Sequence, residues 1–395
     1  MESKTLGKMI PLFYAYRVIS RFYLYLPVMV VFLLKQNLSY PEIGLVLAAY
    51  GFAVMVSKPL VGIALDIWPK RAVLFGGEWM KCLGVAGLAW DGDSVAQLIV
   101  AQAVIGFGFA CTQGTDSMLL SQWTEKSGDS SAYRKIESKS QSYIFIAVLV
   151  SGVAGALLAE IDIRLPFYLT IPFNFVASFL ALGFREEFRP RLPEIRFWRS
   201  RRAKAADGAL KPVHVISFYA VNRATIMAYY VLALPLLLFV QADVSVGYFG
   251  VFLGLFSLTA FLAGQWLNRL AAGFGKGPLW AAVPCCILVS SLLLMADRPW
   301  AYWPAPVLLG FAAGVVRPLA YGFFQKEAEP VRKAAMESAE FWFALFNAGF
   351  VLAIAALFEW SIRGGLAAVM AAVAVVSLGQ LFWKGKSSAR ISKTA

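Results

Sequence analysis

Six basic residues of this chain stand inside long apolar segments, where a charged side chain is costly. Four of them are arginines, namely Arg17, Arg21, Arg223 and Arg317. An arginine in apolar surroundings faces a partner or a cavity, and its planar fork donates two parallel hydrogen bonds to a carboxylate or phosphate. These residues predict a site for an anionic or carboxylate-bearing organic molecule.

Two of the arginines lie four residues apart near the start of the chain. On one continuous helix they would share a face, and Arg21 would lie roughly 15 Å into the helix at about 1.5 Å per residue, one turn beyond Arg17. Tyr25 and neighbouring tyrosines would line the same cavity, although packing is an equally ordinary role for them. The alternative for the arginines is structural, with Asp116, Glu340 or helix carbonyl groups as their partners.

Embedded acids are fewer than embedded bases. Glu78 and Lys81 are three residues apart in one apolar segment, so the spacing predicts an ion pair on one helix face. A carrier coupled to protons needs a group that is charged in one state and neutral in another. Glu78 and Asp116 are the residues predicted for that role.

The elements that position these residues are membrane-spanning helices. Apolar residues make up 59% of the 395 residues, charged residues 15%, and the mean hydropathy is +0.67. Apolar stretches of about 20 residues recur along the whole chain, which is typical of an all-α integral membrane protein. We predict twelve spans: 10–34, 42–65, 72–90, 95–120, 140–159, 164–184, 213–240, 246–267, 279–296, 302–324, 339–358 and 364–383.

The distribution of lysine and arginine predicts the orientation. Most basic residues fall in the loops that share a side with both termini, so both termini are expected in the cytoplasm of a cell's inner (plasma) membrane. The net charge of +13 is explained by this topology and by contact with anionic lipid. Nucleic-acid binding is therefore not expected, since no basic face stands apart from that topology.

The two halves of the chain resemble each other. Arg17, Ser39 and Gly44 recur 206 residues later as Arg223, Ser245 and Gly250. Such a repeat indicates duplicated halves. We predict two pseudo-symmetric six-helix bundles, 1–184 and 213–395 with a short cytoplasmic tail, joined by a basic cytoplasmic linker, 185–212.

A short loop between the second and third spans carries a recognisable motif. Gly62 is followed four residues later by Asp66 and then by Lys70 and Arg71, and a degenerate copy runs from Gly264 to Arg269. This loop resembles the signature loop of the major facilitator superfamily. The resemblance implies a monomeric secondary transporter that moves a small molecule across the lipid bilayer by alternating access.

The same resemblance implies roles for the signature loop, residues 62–71. Gly62 would allow close approach of helices, Asp66 would accept hydrogen bonds from a neighbouring helix end, and Lys70 and Arg71 would hold the cytoplasmic side closed. The alternative is that the two basic residues are ordinary cytoplasmic charges.

Other family marks are missing. Gln102 stands where an arginine linked to proton transfer is usual, and the fifth span lacks the glycine-proline pattern of proton-driven drug antiporters. The stretches at 114–117 and 133–136 are similar to a bacterial subgroup with varied exported substrates. We expect a metabolite or siderophore-like anion, with protons as an optional coupling ion; efflux of drugs or lipophiles and flipping of lipid-linked substrates stay open.

Enzymatic activity is not expected. One histidine is present, the four cysteines fall in apolar segments, and no phosphate loop or metal-ligand cluster is visible, so neither a cofactor nor a metal is predicted. A membrane-embedded transferase and a non-transporting membrane sensor are the alternatives from other classes.

Overall fold

The computed structural model describes residues 2–90, 94–126, 130–186, 188, 190, 213–274, 276–296, 298–324, 329–361 and 363–376. Every regular element within these ranges is a helix. The predicted all-α membrane fold is therefore confirmed. Most of the predicted linker 185–212 lies outside the described residues.

The helices follow one another along the chain, and residues 183–212 separate the eighth helix from the ninth. They are α1 Glu2–Ile19, α2 Met29–Lys35, α3 Tyr40–Ile67, α4 Lys70–Ala89, α5 Val95–Thr112, α6 Thr115–Lys126, α7 Ser130–Ile161, α8 Leu165–Leu182, α9 Val213–Gln241, α10 Val246–Phe274, α11 Lys276–Met295, α12 Pro299–Tyr302, α13 Pro304–Phe324, α14 Glu329–Trp360 and α15 Arg363–Val376.

Ten helical segments within the described ranges are long and apolar enough to cross a membrane. The first and last predicted spans are represented by shorter apolar helices, Met9–Ile19 with Leu26–Lys35, and Arg363–Val376.

The first predicted span, 10–34, is not one helix. It ends at Ile19 and resumes in a 3-10 turn at Leu26–Val28. Pro27 has no N–H and disfavours helical geometry in the residue before it. The freed backbone N–H of Leu24 donates to Oγ1 of Thr170 at 3.2 Å, so a polar side chain satisfies the break inside apolar surroundings.

The fourth predicted span, 95–120, is also divided. α5 ends at Thr112 and α6 begins at Thr115, with Gly114 between them at φ +93°. Only glycine adopts this left-handed conformation at low cost. Nζ of Lys58 binds the carbonyl oxygen of Gln113 at 2.9 Å, which supplies positive charge at the end of α5.

The chain forms two compact units. Unit 1 contains the described residues of Met1–Leu38, Leu45–Ser200 and Ser245–Gly254, and unit 2 contains those of Ser39–Gly44, Arg201–Val244 and Leu255–Ala395. The domain boundaries predicted from the sequence stay a prediction.

The internal repeat is visible in helix bounds as well as in residues. α4 and α11 each contain 20 residues, and both ends of α11 lie 206 positions after the ends of α4. This is the offset that relates Arg17 to Arg223. Positions in α4 can therefore be compared with positions in α11.

Small residues bring helices close together within each unit. In unit 2, a Cβ added to Gly310 would collide with the carbonyl oxygen of Phe256, and one on Gly314 with that of Ala260. In unit 1, a Cβ on Gly250 would lie 2.9 Å from Cα of Val153. The glycines at these positions therefore permit contact between backbones, as expected for small-residue motifs in membrane helices.

Candidate functional site

Arg17 is fully engaged within unit 1. Its Nε lies 2.8 Å from Oδ2 of Asp116, and its Nη2 lies 3.0 Å from Oε1 of Glu137 and donates to Oγ of Ser117 at 2.7 Å. The side chain is 5% exposed. Two carboxylates and a hydroxyl thus contact this guanidinium, which supports the structural alternative for Arg17 over a substrate-binding role.

Asp116 occupies the first turn of α6. Its Oδ1 accepts hydrogen bonds from the backbone N–H groups of Gly114 at 3.2 Å and Ser117 at 2.8 Å. The helix N-terminus and the neighbouring Arg17 therefore both present positive charge to this carboxylate. This geometry favours a structural role for Asp116 over the predicted proton-coupling role.

A comparable cluster lies in unit 2, at Glu340 on α14. Its carboxylate lies 2.9 Å from Nη1 of Arg223 and accepts hydrogen bonds from the hydroxyls of Tyr219 at 2.6 Å and Tyr321 at 2.8 Å. The guanidinium of Arg223 also lies 4.1 Å from the ring centre of Phe343. Arg223 is therefore held by a carboxylate and a ring, as the structural alternative predicted.

Arg317 on α13 differs from Arg223. Its side chain is exposed, its guanidinium carbon lies 5.0 Å from the ring centre of Tyr321, and no carboxylate of the described chain forms an ion pair with it. Among the described residues of this cluster in unit 2 there are therefore two cations, Arg223 and Arg317, for one anion, Glu340.

Arg21 lies beyond the end of α1, so the expectation that it shares a helix face with Arg17 is wrong. The break before Pro27 places Arg21 in a turn, where Nη1 donates to Oη of Tyr23 at 3.3 Å. Its guanidinium carbon lies 4.9 Å from the ring centre of Phe109. Among the described residues no carboxylate forms an ion pair with Arg21, whose side chain is partly buried.

Tyr25 packs within unit 1. It is 6% exposed, and its ring centre lies 5.3 Å from that of Phe167. This contact favours the packing role over the predicted cavity-lining role.

Glu78 and Lys81 form the ion pair that their spacing predicted. Oε2 of Glu78 lies 2.6 Å from Nζ of Lys81, and the two side chains are 0% and 1% exposed. The other carboxylate oxygen accepts a hydrogen bond from the hydroxyl of Tyr16 at 2.9 Å. The pair is therefore buried, with one carboxylate oxygen hydrogen-bonded to Tyr16 and the other in ion-pair contact with Lys81.

Lys81 also binds the broken end of α1. Its Nζ donates to the carbonyl oxygen of Ser20 at 3.3 Å and lies 3.4 Å from Oη of Tyr23. The hydroxyl of Tyr23 therefore contacts both Lys81 and Arg21. Tyr23 is one of the tyrosines that the sequence suggested for the cavity wall, but its contacts with Lys81 and Arg21 were not predicted, because the helix break that brings it here depends on contacts distant in the chain.

The signature loop is joined to the residue that follows α8. Nζ of Lys70 lies 3.0 Å from Oε1 of Glu186, and the backbone N–H of Arg71 donates to Oε2 of Glu186 at 3.2 Å. Glu186 thus caps the N-terminus of α4 from outside the helix. It was missed because the charged segment around it gave no sign of a specific partner.

The signature loop also contains Gly62 and Asp66, for which the sequence predicted a close helix contact and a helix-end hydrogen bond. A Cβ on Gly62 would meet nothing within 4 Å, so close helix approach does not explain this glycine and that expectation is wrong. Asp66 is partly exposed. In the degenerate copy, the side chain of Asn268 lies outside the described residues.

Comparison with known proteins identifies the family of this chain. A family model described as Major Facilitator Superfamily matches residues 18–356. A crystal structure of the nucleoside transporter NupG carrying an aspartate-to-alanine mutation is similar, with a TM-score of 0.77 and 12% identity over 95% of this chain and 98% of that chain. A second NupG structure gives a TM-score of 0.74 at the same identity and coverage. No curated protein matches the chain.

Proposed function

The chain belongs to the major facilitator superfamily of secondary transporters, and we propose that it moves a small organic anion, which Arg21 binds through charge-assisted hydrogen bonds. Family membership supports a multi-pass membrane transporter and not an enzyme. The 12% identity to NupG supports the fold and carries no substrate with it.

The state of Arg21 is the observation that carries the proposal. Arg17 and Arg223 have carboxylate partners, whereas Arg21 has a tyrosine hydroxyl and a phenylalanine ring. An arginine inside a membrane costs at least about 2.5 kcal/mol on insertion scales unless a partner offsets it. An anionic solute would supply a directly bonded partner, which Arg21 lacks among the described carboxylates.

Arg317 is a second residue suited to an anion, in unit 2. It is exposed and has a ring contact to Tyr321. Its lack of an ion pair within the described chain gives it the same chemical reason to bind a carboxylate as Arg21. We rank it second because Glu340 carries a negative charge in the same cluster.

The proposed transport cycle is alternating access across the inner membrane, with both termini in the cytoplasm. The surplus of basic residues on the side of the signature loop supports that orientation. By the family resemblance, Lys70 and Arg71 are proposed to hold this side closed; in this structure Lys70 contacts Glu186 within unit 1. The basic side chain of Arg71 supports the same role through its position beside them.

A ligand screen on detergent-purified protein tests the anion proposal. Thermal unfolding is followed with benzoate, gluconate and citrate as anions, with benzamide and uridine as neutral probes, and with benzylammonium as a cation. Wild type is compared with Arg21→Gln and with Arg298→Gln, an exposed arginine between α11 and α12. Ligand at about 100 times its Kd stabilises the folded state by about 2.7 kcal/mol.

We expect at least one anion to raise the melting temperature of wild type and Arg298→Gln, and to leave Arg21→Gln unchanged. Stabilisation by uridine or benzylammonium that persists in Arg21→Gln would contradict the proposal and would favour a neutral or cationic solute. Equal stabilisation of all three proteins by an anion would make Arg21 structural.

A further inference from the structure

We infer that the solute bound at Arg21 carries an aromatic ring beside its carboxylate, and that Phe109 and Tyr50 recognise this ring. The inference rests on the proposed anion site and adds a substrate class, the aromatic monocarboxylates. It is carried by the side chains that surround Arg21 in unit 1, through their ring contacts, their exposure and their positions in the fold.

Two aromatic rings lie beside the guanidinium of Arg21. The guanidinium carbon lies 4.9 Å from the ring centre of Phe109 on α5. The ring centre of Phe109 lies in turn 5.6 Å from that of Tyr50 on α3, with 56° between the ring planes. Aromatic rings attract one another at this distance when they are tilted or offset. A cation and a ring pair are thus next to each other in unit 1.

These side chains are accessible and not packed away. Arg21, Tyr50 and Phe109 are each partly exposed, whereas the carboxylate-bound Arg17 is buried. A guanidinium that faces lipid inside a membrane is costly, so the open side of Arg21 faces a polar cavity. Because the ring of Phe109 contacts Arg21 and the ring of Tyr50 lies next to it, both rings border the same cavity.

The contact between α3 and α5 holds the two rings together. A Cβ on Gly106 would collide with the carbonyl oxygen of Tyr50 and would lie 2.9 Å from Cβ of Ala53. Gly106 and Phe109 are three residues apart, so they lie on the same side of α5. Close approach of the helices at Gly106 therefore fixes Tyr50 relative to Phe109, and the ring pair is pre-organised before a solute arrives.

The ring pair favours an aromatic solute over a hydroxyl-rich one. The side chain of Phe109 has no group that can hydrogen-bond to the hydroxyls of a sugar acid, and burial of unpaired hydroxyls is costly. An aromatic ring would instead contact Phe109 and Tyr50 while its carboxylate takes N–H donors of Arg21. The wall is therefore suited to benzoate and its relatives more than to gluconate.

Lys58 is a second cation at this end of α5. Its Nζ donates to the carbonyl oxygen of Gln113 at 2.9 Å and lies 3.5 Å from that of Ala110. These contacts place the ammonium group at the C-terminus of α5, where positive charge stabilises the helix. Within the described chain, Arg21 is the cation in contact with Phe109. One carboxylate per solute is therefore expected.

The repeat gives unit 2 no copy of this arrangement. Tyr50 corresponds to Phe256 at the offset of 206. A Cβ on Gly310 would collide with the carbonyl oxygen of Phe256, as one on Gly106 would with its partner in unit 1. Phe256, however, is 9% exposed, and the residue three positions after Gly310 is Ala313, which has no ring. One aromatic solute per chain is therefore expected.

Calorimetric titration with two matched anions tests this inference. Benzoate and cyclohexanecarboxylate each carry one carboxylate on a six-membered ring, and only benzoate is aromatic. We expect wild type to bind one benzoate per chain, about three- to tenfold more tightly than cyclohexanecarboxylate. Phe109→Leu should reduce this ratio to below about twofold, because leucine keeps an apolar contact without an aromatic face.

Two variants control for indirect effects of the substitution. Phe109→Tyr keeps the ring and should keep the preference for benzoate. Phe107→Leu removes an exposed ring two positions earlier on α5, about 200° around the helix, and should keep the preference as well. A ratio that stays at the wild-type value in Phe109→Leu, or that falls equally in Phe107→Leu, would overturn the role of Phe109.

The ligand series on wild type decides the substrate class even if Phe109→Leu does not fold. Benzoate should bind more tightly than cyclohexanecarboxylate, gluconate and citrate. Equal or tighter binding of cyclohexanecarboxylate or gluconate would overturn the aromatic class, and tighter binding of citrate would overturn the single carboxylate.

The two proposals fail in different ways. Carboxylate binding that is lost in Arg21→Gln but shows no preference for benzoate would overturn the ring inference and leave the anion site intact. Absence of binding by every carboxylate would remove the anion proposal itself.

Discussion

The arginine clusters of the two units share one arginine–glutamate ion pair each, but their net charges have opposite signs. In unit 1, Arg17 on α1 pairs with Glu137 on α7, and in unit 2, Arg223 on α9 pairs with Glu340 on α14. The third charged residue of the cluster is an acid in unit 1, Asp116, and a base in unit 2, Arg317.

This difference separates the arginines held by carboxylates from the arginine proposed to bind the solute. The arginines that the repeat duplicates are held by carboxylates in both units. Arg21 corresponds to Met227 at the offset of 206, and so has no counterpart. The group proposed to bind the solute is thus one that the duplication does not preserve.

The largest expected effect is on stability at the duplicated arginines. Arg17→Gln leaves two carboxylates without their cation and should cost about 3–5 kcal/mol of unfolding free energy. Arg223→Gln should cost about 1–3 kcal/mol, because Tyr219 and Tyr321 still donate to Glu340. Thermal and chemical unfolding of both variants, with Arg298→Gln as the control, measures the two losses in unfolding free energy. A larger loss in Arg223→Gln than in Arg17→Gln would contradict the comparison of the two clusters.

Replacing Lys81 and replacing Glu78 in the buried pair of α4 should reduce the stability of the protein by different amounts. Lys81→Met leaves the Glu78 carboxylate with Tyr16 as its donor and should cost about 3 kcal/mol. Glu78→Gln leaves Lys81 with two oxygen acceptors and should cost about 1–2 kcal/mol. The control is Ile287→Met at the matching position of α11, expected below about 1.5 kcal/mol. If Glu78→Gln proves the costlier change, the partner assignment of Lys81 is wrong.

Replacing Lys70 and replacing Arg71 in the signature loop should give a smaller difference in stability. Lys70→Gln removes the cation beside the buried carboxylate of Glu186 and should cost about 1–2 kcal/mol. Arg71→Gln keeps the backbone N–H that binds Glu186 and should change stability by less than about 0.5 kcal/mol. Unfolding of the two variants in parallel checks this, and equal losses would show that the Lys70 contact adds nothing.

The smallest effect is expected at Gly62. Ala at this position meets open space within a helix, so Gly62→Ala should be neutral or should stabilise the protein by up to about 1 kcal/mol. Gly310→Ala is the contrasting variant, because its Cβ collides with the carbonyl oxygen of Phe256, and it should cost about 1–3 kcal/mol. Comparable melting temperatures for the two variants would contradict the packing described.

Local patterns predicted much of the fold and part of the site. Apolar segment length identified the membrane helices, and the three-residue spacing of Glu78 and Lys81 predicted their ion pair. The break after Ile19 was not predicted, because Pro27 alone does not decide between a kink and a gap. Thr170 satisfies a backbone group freed at this break, and it lies 146 residues from its partner.

Partners in tertiary space explain the other misses. Glu137 lies in the polar first turns of α7, before the predicted span, and Glu186 lies in the charged segment after α8. Neither position has a periodicity that reveals its contact. Their carboxylates decide which basic residues are engaged, so the sequence could name the arginines without separating Arg21 from Arg17.

Anion uptake by proteoliposomes tests the central claim most directly. Wild type, Arg21→Gln, Arg21→Lys and Arg298→Gln are reconstituted in equal amounts, and entry of the radiolabelled anion found in the screen is measured with an inward proton gradient. The account predicts uptake by wild type and Arg298→Gln, reduced uptake by Arg21→Lys, which keeps the charge without the fork, and none by Arg21→Gln. Uptake by Arg21→Gln at the wild-type rate would contradict it.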